Sequence, residues 1–352
     1  MIVNFKPTQG ESVSLMGEKT KLFFDIYDEC RKYPKEMSAD APWSLISLDK
    51  DVSFPKPVTF SWICDIPRDQ LDIVLHIAET KDFRSEMTVM AGVATSCEKY
   101  NLKTGTRYYW YAENRGEQNA KSAVTSFVTA DEFPRMIYLD KMGTNVRDAG
   151  GLVNMDGKRI RQGLLYRGGS IDKARTLTDE GFRTLTEELG VKLDIDLRGT
   201  DYVDRPLPVR DERAMSMDYI FVYAGGYDGA IDNKEQCEEC RRVFEKLCDR
   251  SNYPAYVHCH SGMDRTGTIL FLLGLILRID METLMLDYEL SALSCDGWED
   301  RSREWLSERT VDSLRRVAPE CVDIYRLCEI YFEKCLGLPD AIIKLREIFL
   351  EE

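Results

Sequence analysis

The hydrophobic pattern divides the chain into two parts with different periodicities. Over residues 1–133, short runs rich in β-branched and aromatic residues are separated by turn formers such as Lys103–Gly105. Residues 11–48 give no clear pattern. The runs predict strands at residues 58–63, 72–79, 87–93, 107–112 and 122–129. Short strands at this spacing are typical of a β-sandwich, so we predict an all-β domain over residues 1–133.

From residue 134 onward, predicted strands alternate with predicted helices. Apolar and polar residues alternate over 191–198, which predicts a strand with one apolar face. Further strands are predicted at 219–223 and 254–258, and helices at 176–189, 233–249, 304–316, 322–336 and 341–350. This order predicts an α/β domain over residues 134–352, with a mostly parallel sheet flanked by helices. Its site is expected at the carboxyl ends of the strands.

The loop after the strand at 254–258 carries the most specific chemistry. It reads Val257-His-Cys-His-Ser-Gly-Met-Asp-Arg-Thr-Gly267 and leads into an apolar helical run. Backbone N–H groups at a helix start hold an anion, and the helix dipole and Arg265 favour the thiolate of Cys259. The planar guanidinium of Arg265 can bind two phosphate oxygens, and Thr266 can donate to the thiolate. The substrate is expected to contact His260, Ser261, Gly262, Met263, Thr266 and, from an earlier loop, Arg147.

This loop resembles the signature of cysteine-dependent phosphatases. It is most similar to the bacterial tyrosine-phosphatase-like family, whose loop reads His-Cys-x-x-Gly-Lys-Asp-Arg-Thr-Gly, and only the lysine differs, as Met263. Three further motifs of that family are present, and all four occur in the family's order along the chain. They are Asn145–Gly151 with Gly163–Ser170, then Asp196–Arg198, and, after the loop, Asp287–Ser291.

The resemblance implies a phosphomonoester hydrolase that works through a cysteinyl-phosphate, as a protein-tyrosine or dual-specificity phosphatase. Its substrate would be a phosphorylated protein or a small phosphomonoester. A phosphatase of phosphoinositides or inositol phosphates is the first alternative. A phosphate-binding module without turnover is the second.

Three aspartates could protonate the leaving oxygen. Asp264 lies within the loop, where a second negative charge beside a phosphate dianion should raise its pKa. Asp228 lies 31 residues before Cys259, in a placement similar to the acid loop of tyrosine and dual-specificity phosphatases. Asp196 ranks third, because an ion pair with Arg198 explains it at least as well. Asp264 is preferred, and the choice between Asp264 and Asp228 stays open.

Three more residues are expected to support the loop. His258 precedes the nucleophile and is expected to lie behind the loop and tune the thiol. Arg147 and Arg167 belong to the first family motif and could either contact phosphate or hold their own loop in place. For Arg147 the two roles are equally compatible with the sequence.

Charge and cysteine content narrow the choice of partners and compartment. The net charge of −14 argues against nucleic acid and makes phosphate binding a local property of the loop. Three histidines exclude a His-rich metal site, and the mechanism requires no cofactor. Eleven cysteines without small-scaffold spacing favour a reducing compartment, so a cytoplasmic location is expected. No signal peptide is visible at residues 1–10, although a removed one would allow secretion or a periplasmic location. No transmembrane segment is expected.

The N-terminal domain carries a second resemblance. Leu102–Trp110 is similar to the E–F corner of fibronectin type III domains, in which a leucine precedes a turn and a tyrosine begins the next strand. Tyr108 would be the corner tyrosine and Trp62 the core tryptophan of this immunoglobulin-like sandwich. No catalytic cluster is evident here. The domain is therefore expected to be a spacer, a binding module for an unknown partner, or part of the active-site rim.

Overall fold

A computed structural model describes residues 1–30, 54–140, 143–171, 177–199, 210–294 and 303–352. The chain forms two compact units. The first comprises Met1–Gly17 and Pro55–Arg135, and the second comprises the described residues of Glu18–Phe54 and Met136–Glu352. Helix α1 (Glu18–Cys30) thus belongs to the second unit, a grouping that the sequence pattern does not predict. Within the described ranges, no helix is long and apolar enough to cross a membrane.

The first unit is built from two sheets. In one, neighbouring strands are antiparallel and the order is β1 (Ile2–Lys6), β3 (Val58–Cys64), β6 (Ser96–Lys99). In the other, the order is β2 (Ser12–Val13), β9 (Thr125–Thr129), β7 (Arg107–Asn114), β4 (Ile73–Ala78), β5 (Met87–Gly92), with β8 (Ala120–Lys121) beside β7. Only the pairing of β2 with β9 is parallel among these. The five strands predicted here are confirmed to within a few residues.

One hydrophobic core is shared by the two sheets of the first unit. Alternate residues of β3 are buried, and Phe60 among them packs edge-on against Trp110 and Phe127 of the other sheet. Full burial of such a side chain contributes roughly 1.5–3 kcal/mol. At the end of this core, Tyr108 is buried and its hydroxyl accepts a hydrogen bond from the backbone N–H of Lys103 at 2.9 Å.

The second unit contains a five-stranded, mostly parallel sheet, as the sequence predicts. Its order is β10 (Arg147–Asp148), β11 (Leu165–Gly168), β14 (Ala255–His258), β12 (Leu193–Asp196), β13 (Asp218–Phe221), and only β10 runs antiparallel to its neighbour. Strand β14 is central and buried throughout. Ala255 and Val257 join one hydrophobic core and Tyr256 another, so β14 is buried on both faces.

Helices alternate with these strands along the chain, as expected of an α/β domain, and the chain after β14 is helical. They are α2 (Asp179–Arg183), α3 (Gly229–Asp232), α4 (Lys234–Leu247), α5 (Asp264–Ile276), α6 (Met281–Glu289), α7 (Asp312–Val317), α8 (Ile324–Ile330) and α9 (Ala341–Phe349). Helical turns of π type cover Thr184–Glu188, Trp305–Val311 and Tyr331–Cys335. Helix α5 is buried from Thr266 to Ile276, which explains its continuous apolar sequence.

A tyrosine attaches helix α1 to the rest of the second unit. The Tyr27 hydroxyl donates to the carboxylate of Glu289, at the end of α6, and accepts a hydrogen bond from Arg303 at 2.7 Å. Burial and the Glu289 carboxylate raise the pKa of Tyr27, so the hydroxyl keeps its proton. This contact fixes the end of α6, the helix that also supplies residues to the site described next.

Candidate active site

The predicted phosphate loop joins the central strand β14 to helix α5. It runs from Cys259 to Met263, and Gly262 within it has a φ of +69°. A Cβ at Gly262 would lie 2.2 Å from the carbonyl oxygen of Gly168, so both the backbone conformation and the space require glycine. Strand, loop and helix thus bring Cys259 to the carboxyl end of β14.

Four consecutive carbonyl groups of the loop, those of residues 259–262, are held from outside. In chain order, they accept hydrogen bonds from His258 Nδ1 (3.0 Å), the Ser170 N–H (3.0 Å), Asn145 Nδ2 (3.2 Å), and both Asn145 Nδ2 (2.9 Å) and Arg167 Nη2 (2.7 Å). A trans peptide unit directs each carbonyl and the following N–H in opposite directions. The N–H groups of residues 260–263 are therefore expected to point away from these hydrogen-bond donors, into the space beside Cys259, where they can bind an anion.

The thiol of Cys259 is buried, yet its pKa is lowered. Burial raises the pKa, but the charge of Arg265 and the nearby hydroxyl and backbone N–H of Thr266 outweigh it, so the pKa lies below its ordinary value. The Thr266 hydroxyl is buried and has no hydrogen-bond partner in the described part of the chain, so it is available to the sulfur or to a bound phosphate. Arg265 donates to the carbonyl of Arg198 at 3.0 Å, which ties the guanidinium to the end of β12.

Two buried arginines share one carboxylate beneath the loop. Asp287 accepts from Arg147 Nε at 2.7 Å and from Arg167 Nη1 at 2.5 Å, and both arginines are fully buried. Burial opposes ionisation of Asp287, but the two guanidinium groups hold its pKa below the usual range. Arg147 also donates to Asn145 Oδ1. This arrangement favours the loop-holding role for both arginines, and contact of Arg147 with substrate stays a prediction.

His258 is buried behind the loop, and its surroundings favour the imidazolium form. Its Nε2 is 3.0 Å from a carboxylate oxygen of Asp194, and its Nδ1 is the group that holds the Cys259 carbonyl. Burial alone would lower the pKa of His258, but the carboxylates of Asp196 and Asp194 raise it to about 9. The imidazolium therefore donates from Nδ1 to the Cys259 carbonyl, forms an ion pair with Asp194 through Nε2, and places a positive charge directly behind the nucleophile.

The three candidate acids lie in different environments. Asp264 is the first residue of α5, and its Oδ1 accepts hydrogen bonds from the hydroxyls of Tyr227 (2.5 Å) and Tyr288 (3.2 Å). Asp228 is 42% exposed and forms an ion pair with Arg309 at 2.6 Å.

Asp196, by contrast, is fully buried and engaged. It binds the Arg198 guanidinium with both oxygens, at 2.8 and 2.5 Å, and accepts a hydrogen bond from Tyr219. Burial raises the pKa of Asp196, but the charges of His258 and Arg198 bring it below the usual value. Its position supports the structural role rather than that of an acid.

The sequence model of the tyrosine phosphatase family matches residues 139–351. The chain belongs to this family. It is therefore a cysteine-based phosphatase.

Solved structures similar to this tyrosine phosphatase family member include two of one yeast enzyme. The core catalytic domain of the PP-IP phosphatase SIW14 from S. cerevisiae, in complex with citrate, has 16% identity and a TM-score of 0.31, covering 49% of this chain and 91% of that chain. A second structure of the Siw14 catalytic core has 16% identity and a TM-score of 0.29, covering 44% of this chain and 86% of that chain. No curated protein matches the chain.

Several residues around the site are absent from the sequence-based prediction. Tyr227 and Tyr288 hold Asp264, Asn145 holds two loop carbonyls, and Asp194 pairs with His258. The signal for Asp194 is its place beside Asp196 on a strand that enters the site. Of the loop residues predicted to contact substrate, Met263 is buried and His260 is exposed.

Proposed function

We propose that the protein hydrolyses phosphomonoesters on proteins, as a protein-tyrosine or dual-specificity phosphatase. The observation that carries this proposal is the Cys259 thiol, whose pKa is lowered by Arg265 and Thr266, at the start of a loop whose carbonyl groups are all engaged by other hydrogen-bond donors. Such a site holds a phosphate and presents a nucleophile to its phosphorus atom.

The proposed reaction has two steps. The Cys259 thiolate forms a bond to phosphorus while the bond from phosphorus to the leaving oxygen breaks, and the proton of Asp264 passes to that oxygen. Water then attacks phosphorus, the phosphorus–sulfur bond breaks, and the Asp264 carboxylate accepts the proton from water. Loop N–H groups and Arg265 stabilise the charge on the transferring group in both steps.

The charges around the loop favour a substrate with a single phosphate. Among the described residues, Arg147 and Arg167 share the single carboxylate of Asp287, Arg198 pairs with Asp196, and Arg309 pairs with Asp228. The family's lysine is replaced by the buried Met263. A polyanion such as an inositol polyphosphate requires further cations that are free to bind its extra phosphates. In the described part of the site these four arginines are held by carboxylates, which supports a phosphoprotein over an inositol polyphosphate.

We also infer that the first unit is a fibronectin type III-like module. The hydrogen bond from the Lys103 N–H to the Tyr108 hydroxyl supports a tyrosine corner, and the buried Trp62 supports the assigned core tryptophan. Modules of this kind carry binding surfaces on their loops. The proposed role of this unit is therefore to bind a partner that is not yet identified.

Activity assays on a Cys259→Ser variant test the proposed function. Hydrolysis of p-nitrophenyl phosphate should be abolished while phosphate still binds, because the loop N–H groups and Arg265 remain. Cys335→Ser, which changes an exposed thiol outside the site, is the matched control and should keep its activity. A panel of phosphotyrosine peptides, phosphoserine peptides, phosphoinositides and inositol phosphates then defines the substrate. Turnover by Cys259→Ser, or a strong preference for a multiply phosphorylated inositol, contradicts the proposal.

A further inference from the structure

The loop that follows strand β13 reaches the phosphate loop through a tyrosine. Tyr227 is 5% exposed and has a φ of +55°, an uncommon conformation for a bulky residue. Its backbone N–H donates to the Thr268 hydroxyl at 2.8 Å, which fastens the loop to α5. The Arg309 guanidinium lies 4.6 Å from the centre of its ring. The backbone and the ring are therefore held from several sides, and the hydroxyl is delivered to one place.

That place is the carboxylate of Asp264. The Tyr227 and Tyr288 hydroxyls lie 2.5 Å from each other, and 2.5 and 3.2 Å respectively from the same Asp264 oxygen, Oδ1. Tyr288, which comes from α6, is 1% exposed. Burial and the neighbouring Tyr288 and Asp264 raise the pKa of Tyr227, so it retains its proton as a donor. Two buried hydroxyl groups from different elements thus converge on one side of one carboxylate.

We propose that Tyr227 and Tyr288 are positioning residues that orient Asp264 for proton transfer and stabilise the carboxylate left behind. This rests on the proposed role of Asp264 as the general acid. When Asp264 gives its proton to the leaving oxygen, a negative charge develops next to the transferring phosphate. Hydrogen bonds to that charge are stronger than those to the neutral acid, so the tyrosines favour the transfer. The β13 loop then serves the reaction through Tyr227, whereas its aspartate, Asp228, is bound to Arg309.

A purely structural role for the two hydroxyl groups makes a different prediction. Loss of a packing contact would lower stability, or activity on all substrates, by a similar factor. Loss of a positioning contact should matter only when protonation of the leaving group limits the rate. The dependence of kcat on the basicity of the leaving group therefore separates the two roles.

The test measures kcat of Tyr227→Phe on aryl phosphates that range from p-nitrophenyl phosphate to phenyl phosphate, and on an alkyl phosphate. We expect about a tenfold loss on the poorest leaving groups, from the loss of one hydrogen bond to a charged group, and little loss on p-nitrophenyl phosphate. In an Asp264→Asn background, Tyr227→Phe should cause no further loss. Tyr288→Phe provides a second variant with the same expected pattern. Tyr325→Phe, whose hydroxyl donates to the Ile279 carbonyl, is the matched control.

The outcomes distinguish this inference from the proposed function. If Asp264→Asn steepens the leaving-group dependence and neither tyrosine variant does, the positioning role is wrong while the acid role stands. If Asp264→Asn itself leaves the dependence unchanged, the acid role fails, and the inference fails with it. Equal losses on every substrate, persisting in the Asp264→Asn background, assign the tyrosines to packing alone.

Discussion

Raising the pH should remove a positive charge from behind the phosphate loop, because His258 is held as an imidazolium. Its pKa is raised to about 9 from the ordinary 6.5 by the carboxylates of Asp196 and Asp194, against the effect of burial. A difference of about 2.5 pKa units corresponds to about 3 kcal/mol of stability, at 1.36 kcal/mol per unit. Because the folded-state pKa is the higher one, this stability is fully present below pH 6.5 and is lost as the pH rises through 9.

The nucleophile complicates the measurement, since its linkage has the opposite sign. The pKa of the Cys259 thiol is lowered in the folded protein, so its contribution to stability appears as the pH rises through the folded-state pKa and is fully present above the pKa of the unfolded thiol. The two contributions overlap in alkaline solution. A Cys259→Ser background removes the thiol and leaves the effect of His258.

Urea unfolding from about pH 6 to pH 10, in that background, compares His258 with His258→Asn. The free energy of unfolding that His258 adds should fall by about 3 kcal/mol across this range. His260→Asn changes the exposed neighbouring histidine and should show no such trend. A difference between His258 and His258→Asn that stays constant with pH would refute the charged state of His258 and the role assigned to its two carboxylate partners.

Two further substitutions test the roles assigned to aspartates. Asp264→Asn should lower kcat on poor leaving groups by about 10²–10⁴-fold. Asp228→Asn should lower it only slightly, because the Asp228 carboxylate is bound to Arg309. A series of leaving groups measures both variants, and equal, small losses would reject both acids. Asp287→Asn should lower the free energy of unfolding by about 3–5 kcal/mol, because it leaves two buried guanidinium groups without their carboxylate. The measurement is denaturant unfolding, and the control is Asp312→Asn, which breaks an exposed ion pair with Arg315. A loss for Asp287→Asn as small as that of this control would contradict the prediction.

The phosphate loop could be predicted from the sequence because its determinants are local. A strand, a glycine with positive φ and a helix start lie within a few residues of Cys259, and each leaves a mark in the sequence. The predicted pattern of β12 was less complete. Alternation suggested one apolar face, yet Asp194 and Asp196 on the other face are buried, because His258 and Arg198 neutralise them. Pairing between charges that are far apart in the sequence depends on the tertiary fold, so the local hydrophobic pattern cannot predict it.

The same limit applies to the partners of Arg147 and Asp264. Arg147 meets Asp287 across 140 positions of sequence, so its two possible roles could be separated only once the fold was known. Tyr227 lies next to the candidate acid Asp228, but its αL backbone turns its hydroxyl to Asp264 instead. Residue type and order predicted the chemistry of the site. The orientation of each supporting side chain depends on contacts between elements far apart in the chain.

Helix α1 changes how the two units can be separated. The chain leaves the first unit after Gly17, contributes α1 to the second, returns at Pro55, and leaves again after Arg135. In terms of connectivity, residues 55–135 are thus an insertion into the catalytic unit rather than a prefix to it. A single proteolytic cut after Arg135 would leave Tyr27 still bound to Glu289 and Arg303, so the two fragments should remain associated. A catalytic fragment that starts at residue 136 would lack the helix that fixes the end of α6.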